Sequence, residues 1–203
     1  MDCDMTYELF LALLGFAFVT SVTPGPNNMM LLASGVNFGL RRTVPHMLGI
    51  SIGHAVMVFL VGLGVAGVFL AHPLALTALK VAAVGYMLWL AWKIARSGAP
   101  GEGKAGGRPM TFLQAAAFQW VNPKAWAMAL GAVAAYVPEP SVAAYATVAG
   151  VFASVNLPSV AVWAAAGQGL RRWLDDPRRL RAFNWGMAAL LVLSLWPVLG
   201  MEL

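Results

Sequence analysis

Apolar residues run through this chain in blocks too long for a half-buried strand or for one stripe of a soluble helix. Six blocks stand out, at about 7–39, 43–70, 73–95, 111–136, 142–168 and 183–201, with short polar connections between them. A helix needs about 20 apolar residues to cross a hydrocarbon core about 30 Å thick. The pattern therefore predicts an all-α integral membrane protein with six transmembrane helices. The first block contains Thr23-Pro24-Gly25-Pro26-Asn27-Asn28. An uninterrupted helix excludes such a stretch, because each proline removes a backbone donor and crowds the preceding turn.

The fourth block carries a second interruption, Asn122-Pro123-Lys124, near its middle. Thr23-Pro24 and Asn122-Pro123 share one local grammar, an N-capping residue followed by proline at the first helical position. Each predicts a new half-helix that starts inside the bilayer. Non-helical backbone at that depth is tolerated only where it is buried in protein or lines a cavity. Either interruption alone reads as a kink or as a site, but interruptions at matching places in two halves point to a transporter site. The Gly-rich linker 97–110 separates the first three blocks from the last three. The chain thus reads as a single transporter domain, 1–203, made of two three-helix repeats at about 1–96 and 111–203. An odd number of spans in each half makes the repeats inverted.

Composition agrees with a membrane location: 60% of residues are hydrophobic and 10% charged, against roughly 25% charged in a soluble domain. The net charge of +5 does not describe a nucleic-acid surface, because the basic residues alternate by connection. Arg41 and Arg42 mark the first connection, Lys93, Arg96, Lys104 and Arg108 the third, and Arg171, Arg172, Arg178, Arg179 and Arg181 the fifth. The second and fourth connections and both tails carry no Lys or Arg. Basic loops stay cytoplasmic, so both termini are expected outside. The N-terminus has no basic n-region, so the first block is expected to be retained as a span rather than cleaved.

The single cysteine, Cys3, leaves no disulfide or cysteine metal site. All eight acidic residues fall in tails or connections on this reading, which leaves a divalent-cation pathway without hard oxygen ligands. No metal, cofactor or catalytic set is predicted, and no nucleophile and base can be paired by spacing. The chain reads as a transporter rather than an enzyme.

Helix N-termini present unpaired N–H groups and partial positive charge, which favour an anion such as a carboxylate. The candidate substrate-binding residues are therefore Thr23, Pro24, Gly25, Pro26, Asn27 and Asn28 at the first break and Asn122, Pro123 and Lys124 at the second. Thr20, Ser21 and Gln119 lie beside them. An ammonium at this depth needs a partner, and for Lys124 that is either a substrate carboxylate, or carbonyls freed by the breaks, or water. Asn156, with Ser154 and Ser159, is a further binding candidate, or a bridge between helices. His54 is a proton-coupling candidate, since histidine titrates near neutral pH, or a packing residue. Gly49 and Gly53 form a small-xxx-small packing face. Trp89, Trp92, Trp173, Trp185 and Trp196 fit interfacial belts.

In order along the chain, Thr23-Pro24-Gly25-Pro26-Asn27, Arg41-Arg42, Gly49-xxx-Gly53-His54, Leu79-Lys80 with Gly85-Tyr86-Met87-Leu88-Trp89, and Asn122-Pro123-Lys124-Ala125 resemble the motifs of the lysine exporter and homoserine/threonine resistance (LysE-type) transporters. The likeness runs from the first block to the fourth. Thr43 stands where that family often has glycine, and Gln119 where many members have asparagine. The resemblance implies export of amino acids or derivatives across the bacterial inner membrane, driven by the proton gradient. Without a buried acid to receive a second ammonium, the expected substrate is a small, mostly neutral amino acid. Its other partner is the bilayer, and the glycine faces permit a homodimer. The alternatives are a metal-ion exporter or a thiol-electron carrier of related six-helix topology.

Overall fold

The computed structural model describes residues 5–97 and 108–196, and every regular element among them is helical. Most of the linker 97–110, with Lys104, lies outside the described residues, as do Asp2, Cys3, Asp4 and Glu202. The helices are α1 (Tyr7–Val22), α2 (Pro26–Phe38), α3 (Leu40–Gly62), α4 (Val65–Ala71), α5 (Pro73–Ala95), α6 (Phe112–Phe118), α7 (Pro123–Tyr136), α8 (Val142–Leu170) and α9 (Pro177–Leu193). A 3-10 turn, Gln119–Val121, joins α6 to α7, and another, Arg171–Trp173, follows α8. By length and hydropathy three described stretches can each cross a bilayer: α3, Thr77–Ala95 of α5, and α8 with its following turn. α1 and α2, bent by 54° at the break, count as a fourth when taken together.

Local chemistry explains where these helices start. Thr6, Thr111 and Ser141 each accept a backbone N–H three residues ahead, which satisfies a donor the helix itself cannot pair. Thr111 and Gln114 complete a capping box. Asp176 caps α9 with Pro177 at its first position, so this helix begins six residues before the apolar block and takes in Arg178, Arg179 and Arg181. Residues 197–201 of the predicted sixth block lie outside the described residues. The first connection is shorter than expected, because Gly39, at φ 79°, turns the chain directly from α2 into α3. Only glycine enters that region without a Cβ penalty. Arg41 and Arg42 consequently lie in the first turn of α3. The predicted second block divides into α3 and α4 at Leu63 and Gly64, with Gly64 at φ 99°. Glu8 sits in the exposed first turn of α1, not in a tail. Pro158 does not interrupt α8.

α8 is the central post, packed against α1, α2 and α3. Its contact with α2 is backbone on backbone: a methyl on Gly35 would overlap the Ala164 carbonyl, and one on Gly167 the Leu32 carbonyl. Gly49 and Gly53 pack in the same way on Phe112, Ala115 and Ala116 of α6, as the small-xxx-small spacing predicts. Two apolar clusters result. One is built on Leu31, Ile50, Met87, Phe118 and Leu191, the other on Leu13, Met57, Ala129 and Phe152. Trp89 and Trp92 are exposed near the end of α5 and lie under Lys93 Nζ and the Arg96 guanidinium, each 4.8 Å from the ring centre.

Candidate functional site

The first break restarts one proline later than the sequence grammar suggests. Thr23 closes α1, Gly25 is the N-cap of α2, and Pro26 occupies its first turn. Thr23 does not cap forward; its hydroxyl donates back to the Thr20 carbonyl at 3.1 Å. The carbonyls freed at the end of α1 all find donors. Asn28 Nδ2 donates to Ser21 O at 2.9 Å and Thr23 O at 2.8 Å, and the Trp163 indole donates to Val22 O at 3.1 Å. The second break follows the expected grammar: Asn122 caps α7 by accepting the Lys124 N–H at 3.1 Å, with Pro123 next to it. Losing this cap should cost about 0.5–2 kcal/mol. Asn122→Ala is expected to lower the midpoint of thermal unfolding in detergent, and an unchanged midpoint would refute the capping role.

The two breaks, about a hundred residues apart in sequence, meet. Lys124 Nζ donates to Thr23 O at 2.7 Å and Thr23 Oγ1 at 2.9 Å, with Pro24 O at 3.5 Å. Freed carbonyls are thus its partners in this structure, and they lie at the negative end of α1, where a cation is favoured. A Cβ at Gly25 would come within 2.7 Å of Lys124 Cδ and 3.2 Å of Nζ. The ammonium therefore sits over the glycine that opens α2. Beside it, Asn27 and Gln119 form a reciprocal amide pair, with Asn27 Nδ2 donating to Gln119 Oε1 at 2.8 Å and Gln119 Nε2 to Asn27 Oδ1 at 3.2 Å.

The two half-helices differ in one respect that bears on anion binding. Asn122 caps α7, whereas Gly25 gives α2 no side-chain cap. Gly25, Asn27 and Asn28 at the uncapped start of α2 and Lys124 border one small cavity of about 20 Å³, just above the roughly 10–15 Å³ that admits a single water. Gly25, Asn27, Asn28, Asn122, Lys124, Asn156 and His54 line it, as do Thr20, Ser21 and Gln119. Thr23, Pro24, Pro26 and Pro123 do not. Asn156 joins α8 to its neighbours, accepting from Ser51 Oγ at 3.3 Å and donating to Ser21 Oγ at 3.4 Å. Ser154 and Ser159 bond back to carbonyls of their own helix.

His54 is buried and its ring meets Phe152 edge-on, 5.1 Å between centres. Neither of its nitrogens has a hydrogen-bond partner among the described residues, and the same holds for His46, which lies outside the cavity lining. Ala125, Met128 and Val160 complete the lining. Sequence reasoning passed over these three because apolar residues in apolar helices carry no mark. Among the described residues no three His, Cys, Asp or Glu side chains converge to hold a metal ion.

Broken helices that meet at a cavity inside an apolar bundle are a recurring feature of membrane transporters. The family profile described as "LysE type translocator" matches residues 18–194. The chain belongs to this family, as its motifs led one to expect. It is similar to the cysteine/O-acetylserine efflux protein of Escherichia coli strain K12, 31% identical over 191 residues that cover 93% of this chain and 96% of the relative. It is also similar to the protein of that name from Klebsiella pneumoniae, 34% identical over 196 residues covering 93% and 95%. No solved structure matches the chain.

Proposed function

We propose that this protein is a secondary active exporter of small, mostly neutral amino acids or their derivatives across the bacterial inner membrane, coupled to the proton gradient. Its six spans are α1 with α2, α3 with α4, α5, α6 with α7, α8, and α9, arranged as two inverted repeats about the midplane with both termini outside. The observation that carries this reading is the meeting of the two breaks: Lys124 holds the end of α1 while standing over the uncapped start of α2. A substrate carboxylate binds at that start, where N–H donors, the helix dipole and the ammonium act together. The substrate's ammonium rests on Asn156, Ser21 and nearby carbonyls. His54, without a polar partner at the cavity wall, carries the coupled proton.

The efflux relatives, named for cysteine and O-acetylserine, make these two the first substrates to test. Each is small and carries no net side-chain charge at neutral pH. Purified protein in liposomes loaded with labelled O-acetylserine should release it faster when the outside is made acidic, and a protonophore should remove the acceleration. Release at the rate of protein-free liposomes would refute export. Release unaffected by the gradient would refute proton coupling alone.

A further inference from the structure

The cavity lining holds two kinds of side chain. Lys124, Asn27, Asn28, Gln119 and Asn122 are polar; Ala125 and Met128 of α7 with Val160 of α8 are apolar. We propose that Met128, backed by Val160, receives the substrate side chain and sets the length of neutral side chain that the exporter accepts. This rests on the exporter reading above and specifies its site.

Lys124 and Met128 are four residues apart on α7, so they share one face, with about 5–6 Å between their Cβ atoms. A carboxylate held at Lys124 places the α-carbon between the two residues. The side chain then points along α7 toward Met128. At about 20 Å³, room for about one water, the cavity takes an amino acid only when its walls retreat. Met128 is the wall best able to retreat, being unbranched with three rotatable bonds, and it is nearly buried at 7% exposure. Val160 is 1% exposed and stiff at its first side-chain torsion, and Ala125 has nothing to move. The His54 ring, packed edge-on against Phe152, is fixed by that contact. No acidic side chain lines the cavity, so a cationic side chain would be left unpaired in a low-dielectric site.

One methylene in an apolar pocket changes discrimination by about 10- to 200-fold. In counterflow with alanine, 2-aminobutyrate, norvaline and norleucine as competitors, Met128→Ala should raise the norleucine-to-alanine preference about 10-fold or more. Met128→Leu, of similar volume, should keep the wild-type order. Val160→Ala should shift the order in the same direction, and it provides the test if Met128→Ala does not fold. Because the readout is a ratio within one variant, a loss of folded protein does not mimic it. An unchanged order in both alanine variants would overturn the assignment of Met128 and leave the exporter reading standing. A wild-type protein that exchanges none of the series would overturn both.

Discussion

Lys124→Met should lower amino-acid efflux by about 10- to 100-fold while the protein stays folded. The ammonium has two acceptors within 2.9 Å on Thr23, and hydrogen bonds to a charged group contribute about 1.5–3 kcal/mol each. In a transporter that energy has two uses. It pins the end of α1 to the start of α7, and it supplies the positive charge beside the start of α2. Methionine matches the length and fills the space over Gly25 but supplies neither. Lys124→Arg should not restore transport. Gly25 leaves no room for a planar fork, since a single added carbon there would already lie 2.7 Å from Lys124 Cδ, and arginine and lysine are not equivalent at so tight a site. Initial efflux rates in liposomes, normalised to protein that elutes as a single species, check both variants. Wild-type efflux by Lys124→Met would remove this lysine from the mechanism.

The second large effect is expected at a helix contact outside the cavity lining. Gly167→Ala should destabilise the protein by about 1–3 kcal/mol, the usual cost of overpacking, and should reduce efflux with it. A methyl there overlaps the Leu32 carbonyl and comes within 3.1 Å of Gly35 Cα, so α2 must move off α8. α2 carries Asn27 and Asn28, and its displacement opens the site from one side. Gly169, two residues further along α8, meets nothing within 4 Å of an added methyl. Gly169→Ala is therefore the control, expected to be neutral or stabilising by up to about 1 kcal/mol through helix propensity. Thermal midpoints of the pair in detergent give the answer. Equal midpoints would show that the two helices are not held by backbone contact.

The helical content and both interruptions were legible because their signals are local. Apolar blocks of membrane-spanning length, capping residues before proline, and basic residues in alternate connections need no neighbour to be read. What failed to be legible was decided by contacts distant in sequence. Thr23-Pro24 and Gly25-Pro26 each offer a residue able to cap and a proline able to start a helix. Gly25 opens α2 without a side-chain cap, and the Thr23 oxygens accept from Lys124 instead. The same contact gave Lys124 its partner, a choice the sequence left open. His46 and His54 are one residue type on one helix, both buried, yet only His54 lines the cavity. Met128 and Val160 look like any other residues of their blocks. The early start of α9 was missed because the hydropathy pattern weighs Arg178 and Arg179 as loop, whereas Asp176-Pro177 is a helix start whatever follows.

The central claim is that the two breaks form one site for the carboxylate of a small amino acid. Exchange of labelled 2-aminobutyrate against its unlabelled form, beside the same exchange with the carboxylate-blocked 2-aminobutyramide, tests it in reconstituted liposomes. The acid should exchange and the amide should not, and Lys124→Met should reduce acid exchange to the level of the amide. Equal exchange of acid and amide by the wild-type protein would contradict the claim.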